Sequence, residues 1–283
     1  WFFASLIVIA LRWGFLLKSI QPVPTKELTE LVSIGYMGNN VYPFRAGEVL
    51  RIVLLWRSHQ IPVIKTTTTV LIERVFDGVV MLTFILIGVS FTTIGGDTLR
   101  SLASVATPIF IIALAVFLGL ASRPNILRKL VTMVTQFLPA RLGDGLGKLS
   151  EQVIGGLEGL RTPADLLGTV VTSYASWMLH VMVYQLVASA FGMNSDYGLM
   201  MIVVGAVNLA GLIPASPGQL GVFEFFASQV LIGAGVESGL ALTYALTVHV
   251  VIWLPVTLLG FYFLIQRGLS WRDIRKAHHL DEE

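Results

Sequence analysis

Apolar residues run through this chain in long blocks, and polar positions gather between the blocks. The clearest blocks cover residues 1–17, roughly 79–94, 104–121, 166–191 and 240–265. Each approaches the roughly 20 residues that an α-helix needs to cross the hydrocarbon of a bilayer, so each is predicted as a membrane-spanning helix. Two further apolar stretches, 28–56 and 197–235, are interrupted at their centres by "YPFRAGE" and "IPASPGQLGVFE". Proline and clustered glycine stop a helix. Broken backbone at membrane depth survives only where it is buried in protein or lines a wet cavity. Each stretch is therefore predicted as two half-length helices meeting at a turn, as in a re-entrant hairpin. One such break in each half of the chain points to a transport site built from an inverted structural repeat, although the halves share no obvious sequence identity. Residues 122–163 differ. Ile126, Leu127, Leu130, Val131, Val134, Phe137 and Leu138 recur at helical spacing, and Leu146, Leu149, Val153, Leu157 and Leu160 form a second stripe after "PARLGDG". Two readings fit: a basic amphipathic pair lying in the headgroup plane, or a helical hairpin packed on its own protein.

Composition fixes the solvent. Apolar residues make up 55% of the 283 and charged residues 13%, against roughly 25% charged in average globular chains. So few charges cannot cover a soluble core, and the expected fold is all-α, a polytopic helical membrane protein. Cysteine is absent, which excludes disulfides, thiolate metal sites and cysteine nucleophiles. With 19 basic and 17 acidic residues, net charge identifies no partner and gives no sign of nucleic acid. Placement says more. Arg123, Arg128, Lys129, Arg141, Lys148 and Arg161 lie in 122–163, Arg267, Arg272, Arg275 and Lys276 follow the last block, and no Lys or Arg falls between Arg161 and Arg267. The positive-inside rule places both basic segments at the cytoplasm. The expected organisation is one transmembrane domain, 1–266, and a cytoplasmic tail, 267–283, in a multi-pass protein of the cell membrane. A start at Trp1 rather than Met predicts a missing N-terminal piece, and Arg12 in the first block argues against a signal peptide.

The chemistry sits in three places. Arg45, Glu48 and Arg51 are spaced i, i+3, i+6 at the first break. They are either guanidinium groups that fork onto a phosphate or carboxylate, with Glu48 orienting them, or an ordinary cytoplasmic helix end. Glu73, Arg74 and Asp77 stand just ahead of the 79–94 block. Glu73 and Asp77, i and i+4, share a face, and Arg74 reaches Asp77. An ionised group near mid-bilayer costs on the order of 3 kcal/mol and finds a partner or water. The two clusters hold three arginines and three acids, which pair most economically with one another, for binding or for structure alone. Glu224 follows the second break, with Pro214, Pro217, Gly218 and Gly221 ahead of it. It is a carboxylate favoured by a helix N-terminus, a proton or cation site, or the partner of an arginine from the first hairpin. The glycines let backbone approach closely and offer N–H groups to an anion. His180 reads as a hydrogen-bonded packing residue, Asn208 as a bond across helices, and His278–His279 as solvated tail. "GDGLGK" misses the P-loop spacing, and zincin and G-x-S-x-G motifs are absent. No enzymatic activity, cofactor or metal is expected.

Taken in order, "NNVYPFRAGEVLR", "TTTTVLIERVFDGV" and "IPASPGQLGVFE" resemble the lysylphosphatidylglycerol synthase transmembrane region, a family of flippase-like membrane proteins. The likeness covers nearly the whole chain. The third motif is close to the family's P-x-x-P-G-G-x-G-x-x-E pattern, with Gln219 where a second glycine is usual. The resemblance implies translocation of a polar phospholipid or polyprenyl-linked lipid between leaflets rather than lipid synthesis. A secondary transporter of a small anionic solute is the alternative. Membrane lipids are the expected partners, with a homo-oligomer or a separate lipid-modifying enzyme as the protein partner.

Overall fold

A computed structural model of the chain describes residues 1–43, 45–91, 162–193, 195–211 and 216–268, with Lys129, Thr132, Met133, Thr135 and Gly147. The amphipathic segment 122–163, the block 104–121 and the tail fall almost wholly outside these. The described residues form helices α1 (Phe2–Leu17), α2 (Thr25–Val41), α3 (Ala46–His59), α4 (Val63–Phe91), α5 (Pro163–Ala190), α6 (Tyr197–Ala210), α7 (Val222–Gly233) and α8 (Ser238–Gln266), with a short 3-10 turn at Pro217–Gln219. This is the expected all-α fold. Apolar side chains cover the outside as well as the core, and charged ones are buried among them: Arg12 is 1% exposed and Glu73 0%, whereas Leu258 is 60% exposed. On α8 the exposed residues Leu242, Leu246, Val250, Leu254 and Leu258 recur every four positions, one apolar face running along the helix. That arrangement suits lipid as solvent. Among the described residues α5 and α8 are long and apolar enough to span a membrane by length and composition, and α1 and α6 are shorter apolar helices.

Both breaks are present. Pro43 ends the run after α2, and α3 starts three residues on. The hairpin is re-entrant: His59 at the end of α3 lies 2.9 Å from Glu27 at the start of α2. Gly47 lets the two half-helices touch, since a Cβ there would overlap the carbonyl oxygen of Gly35. In the second half, α6 ends at Ala210 and α7 begins at Val222, and four residues then lead into α8.

Each half thus reads long helix, broken pair, long helix, and the halves run in opposite senses. Antiparallel packing of α1 on α5 shows it: Lys18 bonds Asp165 at 2.8 Å, Phe15 packs on Gly168, and Phe2 meets His180 with ring centres 5.7 Å apart. Each half's last helix lies antiparallel against the first half-helix of the other. Gly88 of α4 seats on α6, where a Cβ would stand 2.5 Å from the Gly198 oxygen. Gly260 of α8 seats on α2, where a Cβ would stand 2.6 Å from the Ser33 oxygen. Such contacts rest on close backbone approach and dispersion, which hold helices together where lipid supplies no hydrophobic drive. The two re-entrant hairpins therefore enter from opposite ends and meet in the middle.

Two sequence expectations need correction. α4 begins at Val63, not near Val79, so Glu73, Arg74 and Asp77 lie inside a 29-residue helix. Charges that find partners do not end a helix, and these three have them. Asp165, whose place near a span end predicts a wet carboxylate, is instead buried and paired with Lys18.

Candidate functional site: paired charges beside a cavity between two breaks

Arg12 is the hub of the buried charges. Glu73 and Asp77 share the inner face of α4, and Arg12 donates 2.5 Å bonds from α1 to both, one from each terminal nitrogen. Arg51 of α3 donates to the other oxygen of Glu73 and lies over the Trp13 ring, 4.5 Å from its centre. Trp177 of α5 donates its indole N–H to Asp77 at 2.6 Å. Arg74 stands 3.2 Å from the second Asp77 oxygen and 3.7 Å from Glu48. The network thus ties α1, α3, α4 and α5 together. It accounts for the buried acids, since removing one partner of such a pair costs about 3–5 kcal/mol.

Arg12 also overturns the expected neutrality. Arg12, Arg45, Arg51 and Arg74 face Glu48, Glu73 and Asp77, so four cations meet three anions and one positive charge is left over. Two of these arginines are incompletely buried: the side chains of Arg45 and Arg74 are 33% and 27% exposed. Both open onto a cavity of about 320 Å³, within the size range of small-ligand sites.

This cavity lies where the breaks meet. Arg45, at the N-cap of α3, holds a left-handed backbone (φ 54°, ψ 35°) and donates a 2.9 Å bond to the Gly211 carbonyl of the opposite break. Asn40 donates from the end of α2 to Thr257 on α8 at 2.8 Å. Gln219 also holds positive φ, 61°, with its side-chain amide against Gly211. Gly218 needs its φ of 65° and its missing Cβ, because the Trp253 Nε1 would lie 2.5 Å from that carbon. That Trp253 Nε1 and Asn39 Oδ1 are buried and have no hydrogen-bond partner among the described residues.

Among the described residues, Glu224 pairs with a histidine and with no arginine. One of its oxygens accepts the Gly221 N–H at 2.7 Å, capping α7, and the other lies 2.6 Å from His249 Nδ1 of α8. The helix-terminus reading of Glu224 therefore holds, with a histidine added. Of the predicted residues, Arg45, Arg74 and Gly218 line the cavity. Glu48, Arg51, Glu73 and Asp77 stand behind it in the ion-pair network, and Pro217 opens the 3-10 turn. Pro214 lies outside the described residues. His180 hydrogen-bonds its own helix at Ser176, as expected, and Asn208 does the same at Val204 instead of crossing to another helix. Arg12, Trp177, His249 and Trp253 escaped the sequence reading. A lone arginine in a predicted span was the available signal for the first.

A family model described as the lysylphosphatidylglycerol synthase TM region matches residues 1–260. The chain belongs to this family. Among curated relatives of this lysylphosphatidylglycerol synthase TM region, the glycosyltransferase AglD of Haloferax volcanii is 28% identical over 253 residues, covering 79% of this chain and 40% of that protein. The chain thus spans about two-fifths of that relative's length. A UPF0104 membrane protein of Methanothermobacter thermautotrophicus is 26% identical over 280 residues, 91% of this chain and 78% of its own. Another, of Pyrococcus horikoshii, is 21% identical over 283 residues, 94% and 84% respectively. No solved structure matches the chain. Membership gives the region a lipid-related membrane function. It also corrects the expectation of no enzymatic activity: the family bears the name of a synthase, one relative is named a glycosyltransferase, and the family is enzyme-related. Motifs read within the helices speak only of chemistry in those helices.

Proposed function

We propose that this region carries lipids with a phosphate-bearing headgroup between leaflets, serving the lipid-directed chemistry for which its family is named. The surplus positive charge at the meeting of the two breaks carries this reading. A phosphate lodged between Arg45 and Arg74 meets two guanidinium groups able to fork onto its oxygens. The unpartnered Trp253 N–H is a further donor, and the acyl chains stay against the apolar outer faces. By the positive-inside rule, the end bearing the start of α5 and the end of α8 faces the cytoplasm. The α2–α3 hairpin then enters from the cytoplasm and the α6–α7 hairpin from outside.

The test is transfer of fluorescent phosphatidylglycerol across liposomes that hold the purified chain, read by quenching of the outer leaflet. Arg45, which bonds Glu48 and the Gly211 carbonyl here, would lend at least one charge-assisted bond to a phosphate in the cavity. Arg45→Ala should therefore slow transfer about 10- to 100-fold, the effect of losing about 1.5–3 kcal/mol. Wild-type vesicles no faster than empty ones, or Arg45→Ala and Arg74→Ala both as fast as wild type, overturn the proposal. Uptake of free phosphate without lipid transfer would favour a solute carrier instead.

A further inference from the structure

His249 is wedged between two acceptors. Its Nε2 lies 2.9 Å from the Gly218 carbonyl oxygen, and its Nδ1 lies 2.6 Å from a Glu224 oxygen. A carbonyl only accepts, so Nε2 carries a hydrogen and donates it. The Nδ1–Oε1 contact needs a second hydrogen, on either the imidazole or the carboxyl. The pair in this geometry therefore holds one proton more than a neutral histidine beside an ionised glutamate. Remove that proton and either tautomer leaves one nitrogen lone pair pointing at an oxygen lone pair. One of the two contacts must then open. Both lie at the second break: Gly218 is in its 3-10 turn, and Glu224 caps the half-helix that follows.

Burial makes this proton matter. Glu224 is 8% exposed and His249 6%, and Phe223 stacks flat on the imidazole with ring centres 4.2 Å apart and planes 19° apart. The cavity beside His249 is its polar approach. The titratable and charged groups facing it there are Tyr36 from α2, Tyr42 and Arg45 from the first break, Arg74 from α4, and His180 and Tyr184 from α5, while α6 presents Asn208. Among the described residues no carboxylate lines the cavity; Glu224 reaches His249 from behind it. An anionic headgroup entering beside His249 therefore meets its charge complement at Arg45, Arg74 and the proton on the pair.

We infer that Glu224 and His249 form a proton-binding site that couples lipid movement to a proton gradient, with protonation fastening the Pro217–Gln219 turn and the start of α7 to α8 and proton loss releasing one of the two. This rests on the lipid-carrier reading and supplies its driving force. The step is a proton transfer alone: the pair takes a proton from water on one side, gives it to water on the other, and breaks no covalent bond.

The experiment uses liposomes of phosphatidylcholine and phosphatidylglycerol holding the full chain, fluorescent phosphatidylglycerol as the probe, and an internal pH dye. One proton per lipid predicts that the ratio of label between leaflets shifts by up to about tenfold per pH unit across the membrane. In Glu224→Gln the amide donates permanently to Nδ1, so residual transfer should settle at equal label whatever the gradient. His249→Asn is the second variant, and both are used only where they elute as single species. Wild type that moves lipid to equal label under a gradient overturns the coupling and leaves the carrier reading intact. Wild type that moves no lipid ends the carrier reading. In those same vesicles, a pH gradient dissipated by wild type and not by Glu224→Gln still supports the proton site, and equal dissipation overturns it. Transfer by both variants that still follows the gradient also overturns it.

Discussion

Arg12→Met removes from the buried network the cation that hydrogen-bonds both Glu73 and Asp77, leaving Arg74 at 3.7 Å from Glu73 and 3.2 Å from Asp77. Methionine has a similar reach and no charge, so the volume change is small and the electrostatic loss dominates. Water cannot compensate, because Arg12 is 1% and Glu73 0% exposed. Breaking a buried pair costs about 3–5 kcal/mol. Here Glu73 keeps Arg51, and Asp77 keeps Trp177 and Arg74, which puts the expected loss near the lower limit, about 3 kcal/mol. At roughly 2–4 °C per kcal/mol that is a fall of about 10 °C in thermal midpoint, measured on detergent-purified protein by tryptophan fluorescence. The penalty sits in a carboxylate deprived of one cation. Glu73→Gln alone should also destabilise, since it strips Arg51 as well, and the double variant should lose less than the sum of the two singles, a coupling between contacting sites. Arg12→Lys, which keeps the charge and loses the fork, should fall between. A midpoint for Arg12→Met within about 2 °C of wild type would sink the network as an explanation of how α1, α3 and α4 are held. So would a double variant whose loss equals the sum of the two singles.

Other expectations are as direct. Gln219→Gly relieves a non-glycine residue at φ 61°, worth roughly 1 kcal/mol of strain, and removes the side chain packed on Gly211. It should leave the thermal midpoint equal or higher and broaden the range of headgroups moved. A lower midpoint with unchanged selectivity refutes both parts. The absence of cysteine makes single-cysteine mapping clean. Lys26→Cys, near the start of α2, and Ser238→Cys, at the start of α8, should react with a membrane-impermeant maleimide from opposite faces of sealed vesicles. Labelling of both from one face contradicts the inverted repeat.

Much of this architecture was legible because the chain punctuates it. Pro43 and the Pro217–Gly218–Gly221 cluster break helices by local backbone chemistry, which sequence displays. The start of α4 was not legible, because "IERVFD" looks like a polar border until its charges have partners, and Arg12 lies 61 residues from Glu73. Read singly, Arg12 was a blemish in an apolar block; read with α4, it changes the local charge count from zero to plus one. His249 was missed for the same reason, since 25 residues separate it from Glu224. Periodicity could suggest two similar halves. The contact of Lys18 with Asp165 was needed to show that they run in opposite directions.

The inverted halves are alike in path and unlike in bonding. The first is riveted by arginine–carboxylate pairs among α1, α3 and α4, whereas no Lys or Arg stands between Arg161 and Arg267 to rivet the second. Deforming the first half would have to rupture several buried ion pairs, whereas deforming the second would break packing and hydrogen bonds such as those of His249 to Glu224 and Gly218 and of Tyr244 to the Tyr184 carbonyl. By this count residues 1–91 are the more strongly cross-linked half, and the bond from Arg45 to the Gly211 carbonyl ties the second break to it.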